Sequence, residues 1–76
     1  MRTLINIGAQ FRIPADSIVS IAWSLALESR AIYAGRSTPA ESAQRVAADH
    51  WNGGSSVEFA AFVATLLRVL ENHTAN

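Results

Sequence analysis

Twice in this chain a glycine is followed by a hydroxyl residue that stands three positions before a glutamate. Gly35 precedes Thr38-Pro39-Ala40-Glu41, and Gly53-Gly54 precede Ser55-Ser56-Val57-Glu58. At that spacing the hydroxyl accepts from the backbone N–H three residues on, while the glutamate reaches back to the N–H of the capping residue, so each stretch opens a helix. A glycine just before it suits the end of the preceding helix, where the chain turns left-handed at little cost to a residue without Cβ. Asn52, beside Gly53, suits the same turn. With Pro14, which fits a first helical position, these marks divide the chain into four segments with no linker between domains.

Three segments predict helices. In 15–34, Ser17, Ser20, Ser24 and Glu28 form a narrow polar strip, with Ile18, Ile21, Ala22, Leu25, Ile32 and Tyr33 opposite and Val19, Trp23 and Leu27 flanking them. Apolar surface covers more than half of this helix, which therefore lies centrally or at a subunit interface. In 39–51, Ala40, Ala43, Val46, Ala47 and Trp51 face inward and are small enough for close approach, while Glu41, Arg45 and Asp49 form an i,i+4 ladder on a solvated face. In 56–72, Phe59, Phe62, Val63, Leu66, Leu67 and Leu70 share one side opposite Glu58, Thr65, Arg68 and Asn72.

The first segment is different. Over 5–13 the odd positions are Ile, Ile, Ala, Phe, Ile and the even positions Asn, Gly, Gln, Arg, the period of a strand with one wet face. A short helix is the alternative. It would gather Leu4, Ile7 and Phe11 on one side, but it strands Ile5 and Ile13 and contains Gly8. The expected fold is mainly α: a single domain with a three-helix body and an N-terminal β-strand or short helix.

Seventy-six residues lie near the size at which one core supplies only about 3–5 kcal/mol. Half of them are apolar and none is cysteine, so disulfides and thiolate metal sites are excluded and self-association is the expected remedy. The chain is therefore expected to be a homodimer or higher homo-oligomer. Six arginines balance six carboxylates and there is no lysine, which excludes a strongly cationic surface. The longest apolar run, Ile18 to Leu27, is interrupted by serines and falls far short of the roughly 20 residues of a membrane span. Cleavage of a leader after Ala26 or Ala34 would leave fewer than about 51 residues to fold, so a cytoplasmic protein is expected.

Catalytic chemistry finds little support. A zinc site needs about four converging ligands, and His50, Asp49 and scattered carboxylates do not supply them. His50 is expected to be partly buried and hydrogen-bonded near a helix C-terminus, and His73 to lie in a fraying end. Ser55 and Ser56 are explained by capping, and His50 and Asp49 point about 100° apart, so no nucleophile, base and orienting acid converge. Gly53-Gly54-Ser55-Ser56 lacks the preceding strand and the lysine of a phosphate loop. Asn72-His73-Thr74 matches a glycosylation sequon, a pattern that arises often by chance. No catalytic residue, cofactor or metal is expected, and the aromatic residues are spaced for packing rather than for stacking on bases.

The run Gln10-Phe11-Arg12-Ile13-Pro14, a long helix, then Gly35-Arg36-Ser37-Thr38-Pro39 opening the next helix, resembles the ribbon-helix-helix family of DNA-binding repressors over residues 5–51. In that family two subunits pair their N-terminal strands into a ribbon that enters the major groove. The resemblance implies that Gln10 and Arg12, with Asn6 and Gly8, face duplex DNA, and that Ala9, Phe11 and Ile13 face the dimer core. It also implies that the region of Ser37 and Thr38, with Arg36 beside it, holds a phosphate. The chain departs from the family in its longer first helix, its additional helix over 56–72 and its zero net charge. Residues 7–23 also read as a helix-turn-helix, with Arg12 where the turn glycine belongs and a recognition helix rich in apolar residues.

Two functions follow as expectations. One is a DNA-binding transcriptional regulator. The other is a protein-protein interaction module, an inhibitor or adaptor that presents Phe59, Phe62, Leu66 and Leu70, or the Trp23 side, to itself or to another protein.

Overall fold

The computed structural model describes residues 2–51 and 53–74, and Asn52 lies outside them. Four helices follow in order: α1 (Arg2–Phe11), α2 (Ala15–Tyr33), α3 (Pro39–His50) and α4 (Ser56–Thr74). No strand occurs among the described residues.

The expected strand over 5–13 is thus corrected to a helix. A single strand leaves its N–H and C=O groups without partners, whereas a helix satisfies them within the segment. The helix buries Ile7 and packs Leu4 and Phe11 against the core. It leaves Ile5 59% exposed, the cost that the helical reading implied. Gly8 is there for packing: a Cβ at this position would come 2.8 Å from Ile18 Cδ1, so α1 crosses α2 where it has no side chain. The helix ends with Arg12 in the left-handed region at φ 57° and with the Ile13 N–H donating to the Gly8 carbonyl at 2.8 Å. Arg12 therefore occupies the position a turn glycine would normally take, at a conformational cost of about 1–2 kcal/mol.

The other boundaries rest on local chemistry. Pro14 caps α2 one residue before its first turn, and its carbonyl accepts from Ser17 and Ile18. At the far end Gly35 sits at φ 75°, its N–H donates to Ile32 and that of Arg36 to Ala31, the paired bonds of a Schellman ending. Thr38 and Glu41 form a reciprocal capping box at α3. Ser55 and Glu58 do the same at α4, with the Glu58 N–H donating to Ser55 Oγ at 3.1 Å and the Ser55 N–H to Glu58 Oε1 at 3.3 Å.

The core lies between α2, α3 and α4, with α1 laid over one end. Ile18, Ile21 and Leu25 of α2 meet Ala43, Val46 and Ala47 of α3 and Phe62, Leu66 and Leu70 of α4. Ala43 and Ala47 are fully buried, and their small size brings the helix backbones together, whereas Ala40, expected on the inward side, is exposed. The α4 residues proposed for an interface, Phe62, Leu66 and Leu70, have no exposure, and Phe59 is half-buried. This correction has a simple cause: the apolar stripe that sequence alone leaves without a partner is covered by α2 and α3 of the same chain.

Candidate functional site

The residues proposed to touch DNA fall into two separate places. Asn6 and Gln10 lie one turn apart on the exposed side of α1, and Arg12 is in the turn after it. Arg36, Ser37 and Thr38 precede α3. Phe11 packs on Trp51 at the other end of α3, with ring centroids 6.5 Å apart, and the twelve residues of that helix span about 18 Å. The structure does not bring the two groups together.

The hydroxyls before α3 are already engaged. Thr38 Oγ1 accepts from the Glu41 N–H at 3.1 Å. Ser37 Oγ lies 2.7 Å from Ser42 Oγ and accepts from Arg45 at 3.0 Å. Ser42 is fully buried and donates to Glu28 Oε1 at 2.7 Å. Arg45 donates to both Glu28 oxygens at 3.0 Å, a two-pronged pair between α2 and α3. Arg45 was expected to belong to a solvated ladder with Glu41 and Asp49. It turns across to α2 instead, because Glu28 offers a planar carboxylate to a planar guanidinium. Sequence reasoning passed over this cluster, although Glu28 in the polar strip of an apolar helix was the signal available.

The hydrogen bond from Arg45 holds the Glu28 carboxyl below its ordinary 4.5, against the upward push of burial, and the Ser42 hydroxyl and the Arg45 charge add to the lowering. Arg45 is raised in turn, chiefly by its hydrogen bond to Glu28. The lowered carboxyl contributes stability that is present above pH 4.5 and is lost as pH falls through its folded-state value. Unfolding titrations between pH 6 and pH 2 are therefore expected to show wild type losing stability more steeply below pH 4.5 than Glu28→Gln. Parallel pH profiles would contradict the assignment.

A second link between α2 and α3 is Ser24 Oγ to His50 Nε2 at 3.1 Å, with both residues half-buried. Among the described residues no three of His, Asp and Glu come together. His73 contributes its carbonyl, which accepts from the Tyr33 hydroxyl at 2.8 Å and ties the ends of α2 and α4.

Trp51, Gly54 and Phe59 pack together. Trp51 stacks obliquely on Phe62 at 5.4 Å and meets Phe59 edge-on at 5.8 Å, while Phe11 lies 5.2 Å from Phe62. Gly54, at φ 115°, passes so close to the indole that a Cβ would stand 2.8 Å from Trp51 Cζ2. Gly54 thus lies against an aromatic cluster that joins α1, the end of α3 and α4.

The surface available for binding is the opposite side of α2. Its polar residues Ser24 and Glu28 turn inward to α3, which rotates Val19, Trp23 and Leu27 to the outside at 54%, 69% and 60% exposure. Val19, Ala22, Trp23 and Ala26 line a shallow depression of about 250 Å³. Val19 also borders a groove of about 380 Å³ between α1 and α2, with Ile5, Ala9 and Ile13. The apolar surface is thus continuous from Ile5 to Ala26, and Leu27 stands one turn beyond Trp23 on the same helix. Among the described residues no helix is long and apolar enough to cross a membrane. Comparison of the chain with family models, curated proteins and solved structures gave no match.

Proposed function

We propose that this chain is a small non-enzymatic interaction module that binds protein through the outward face of α2. The observation that carries this reading is Trp23, 69% exposed at the centre of an apolar face rather than alone. Scattered apolar residues on a surface are ordinary, but a contiguous patch around a tryptophan is the usual composition of an interface centre. The DNA-binding alternative depended on a strand that is a helix here, and the exposed face of α2 begins with Asp16, whose charge opposes a phosphate backbone.

Trp23→Glu is expected to keep the helical circular dichroism and thermal midpoint of wild type, because the side chain is mostly outside the core. It is expected to abolish association, read as the mass of the purified chain over a concentration series and as the proteins retained by the immobilised chain. Identical masses and identical retained proteins for the two forms would overturn the reading.

A further inference from the structure

Resting on that interaction reading, we infer that the partner is a second copy of this chain, with the two α2 helices antiparallel about a two-fold axis at Trp23. Asp16, Trp23 and Arg30 recur every seven residues and are all exposed, so they run in one line down the outward face. Asp16 and Arg30 are equally distant from Trp23, and the interval between them spans about 21 Å of helix. A two-fold axis at Trp23 therefore sets each Asp16 opposite Arg30 of the other copy. It also sets Val19 opposite Leu27, Ser20 opposite Ala26, and Trp23 opposite itself. Acid meets base, apolar meets apolar and small meets small, the self-complementarity that a two-fold interface requires. The parallel alternative places Asp16 against Asp16 and Arg30 against Arg30.

Both charges are available for this role. Among the described residues the ion pair is Arg45 with Glu28, and neither Asp16 nor Arg30 has an opposite charge within reach. Favourable interaction with the helix dipole accounts for an acid in the first turn and a base in the last. It does not account for their alignment with Trp23. The depression lined by Val19, Ala22, Trp23 and Ala26 lets a facing helix approach closely and seats an indole. Covering Ile5, Val19, Trp23 and Leu27 removes on the order of 500 Å² per copy, so the pair reaches the roughly 1,000 Å² of a specific interface.

Sedimentation equilibrium of the intact chain from 5 to 500 µM, with circular dichroism on every sample, tests the arrangement. Wild type is expected at twice 8.2 kDa. Asp16→Arg and Arg30→Asp are each expected to weaken dimerisation at least tenfold, and the double reversal to restore it to within a few fold. A role confined to the helix dipole would make the double variant less stable than either single one and leave the mass unchanged, which counts against the proposal. As a readout independent of charge, a mixture of Val19→Cys and Leu27→Cys chains is expected to cross-link as the mixed dimer in preference to either homodimer. Wild type monomeric at 500 µM overturns the second copy as partner, and loss of a different retained protein by Trp23→Glu would then leave the interaction reading standing. A dimer that ignores both charge reversals and shows no preference for the mixed cross-link overturns the antiparallel register.

Discussion

Phe62→Ala is expected to leave little or no cooperatively folded chain at 25 °C. Phe62 has no exposure and packs on both Phe11 and Trp51, so it joins α1, the end of α3 and α4. Truncating a buried phenylalanine costs about 3–5 kcal/mol in lost burial and residual cavity. That matches the roughly 3–5 kcal/mol that one core of this size supplies. The measurement is urea unfolding followed at 222 nm, at one fixed chain concentration because association adds to apparent stability. Val57→Ala, at a position 77% exposed, serves as control and is expected to stay within about 0.5 kcal/mol of wild type. A Phe62 variant that loses less than about 1 kcal/mol would show that the aromatic cluster is not where the core is held together.

Gly54→Ala is expected to cost about 2–4 kcal/mol, combining an unfavourable backbone conformation with displacement of a packed ring. Neighbouring Gly53 separates the two causes. Its φ of 111° is nearly the same as the 115° of Gly54, but a Cβ there meets nothing within 4 Å. Gly53→Ala therefore reports the backbone effect alone, about 1–3 kcal/mol. The excess at position 54 reports the Trp51 contact, and a red shift of tryptophan emission should accompany it as Trp51 leaves its pocket. Equal losses at 53 and 54, with unchanged emission, would mean that the indole yields freely and that the loop does not hold it.

The boundaries of α2, α3 and α4 were legible because they depend on residues a few positions apart. Thr38 with Glu41, Ser55 with Glu58, and Gly35 after the last turn of α2 each satisfy helix ends by local hydrogen bonds, whatever the rest of the chain does. The segment 5–13 was not legible in this way. Its alternating apolar residues fit a strand, its Leu4, Ile7 and Phe11 fit a helix, and Gly8 counted against the helix until Ile18 was found packed over it. With both periods present in one short segment, the outcome depended on which form could dock on α2.

The candidate site shows the same division. Trp23 was visible as a flanking residue of an apolar helix, but its exposure depends on how α2 is rotated, and that rotation is held by partners 14 and 26 residues away in Ser42 and His50. The α4 stripe looked equally suited to an interface, yet α2 and α3 cover it. Sequence alone determined where three helices begin and that half of so small a chain is apolar, since capping and composition are local or additive properties. Tertiary structure alone decided that the first segment is helical, that Phe62, Leu66 and Leu70 point inward and that Trp23 points outward, because an apolar face is buried only by what the rest of the fold brings against it.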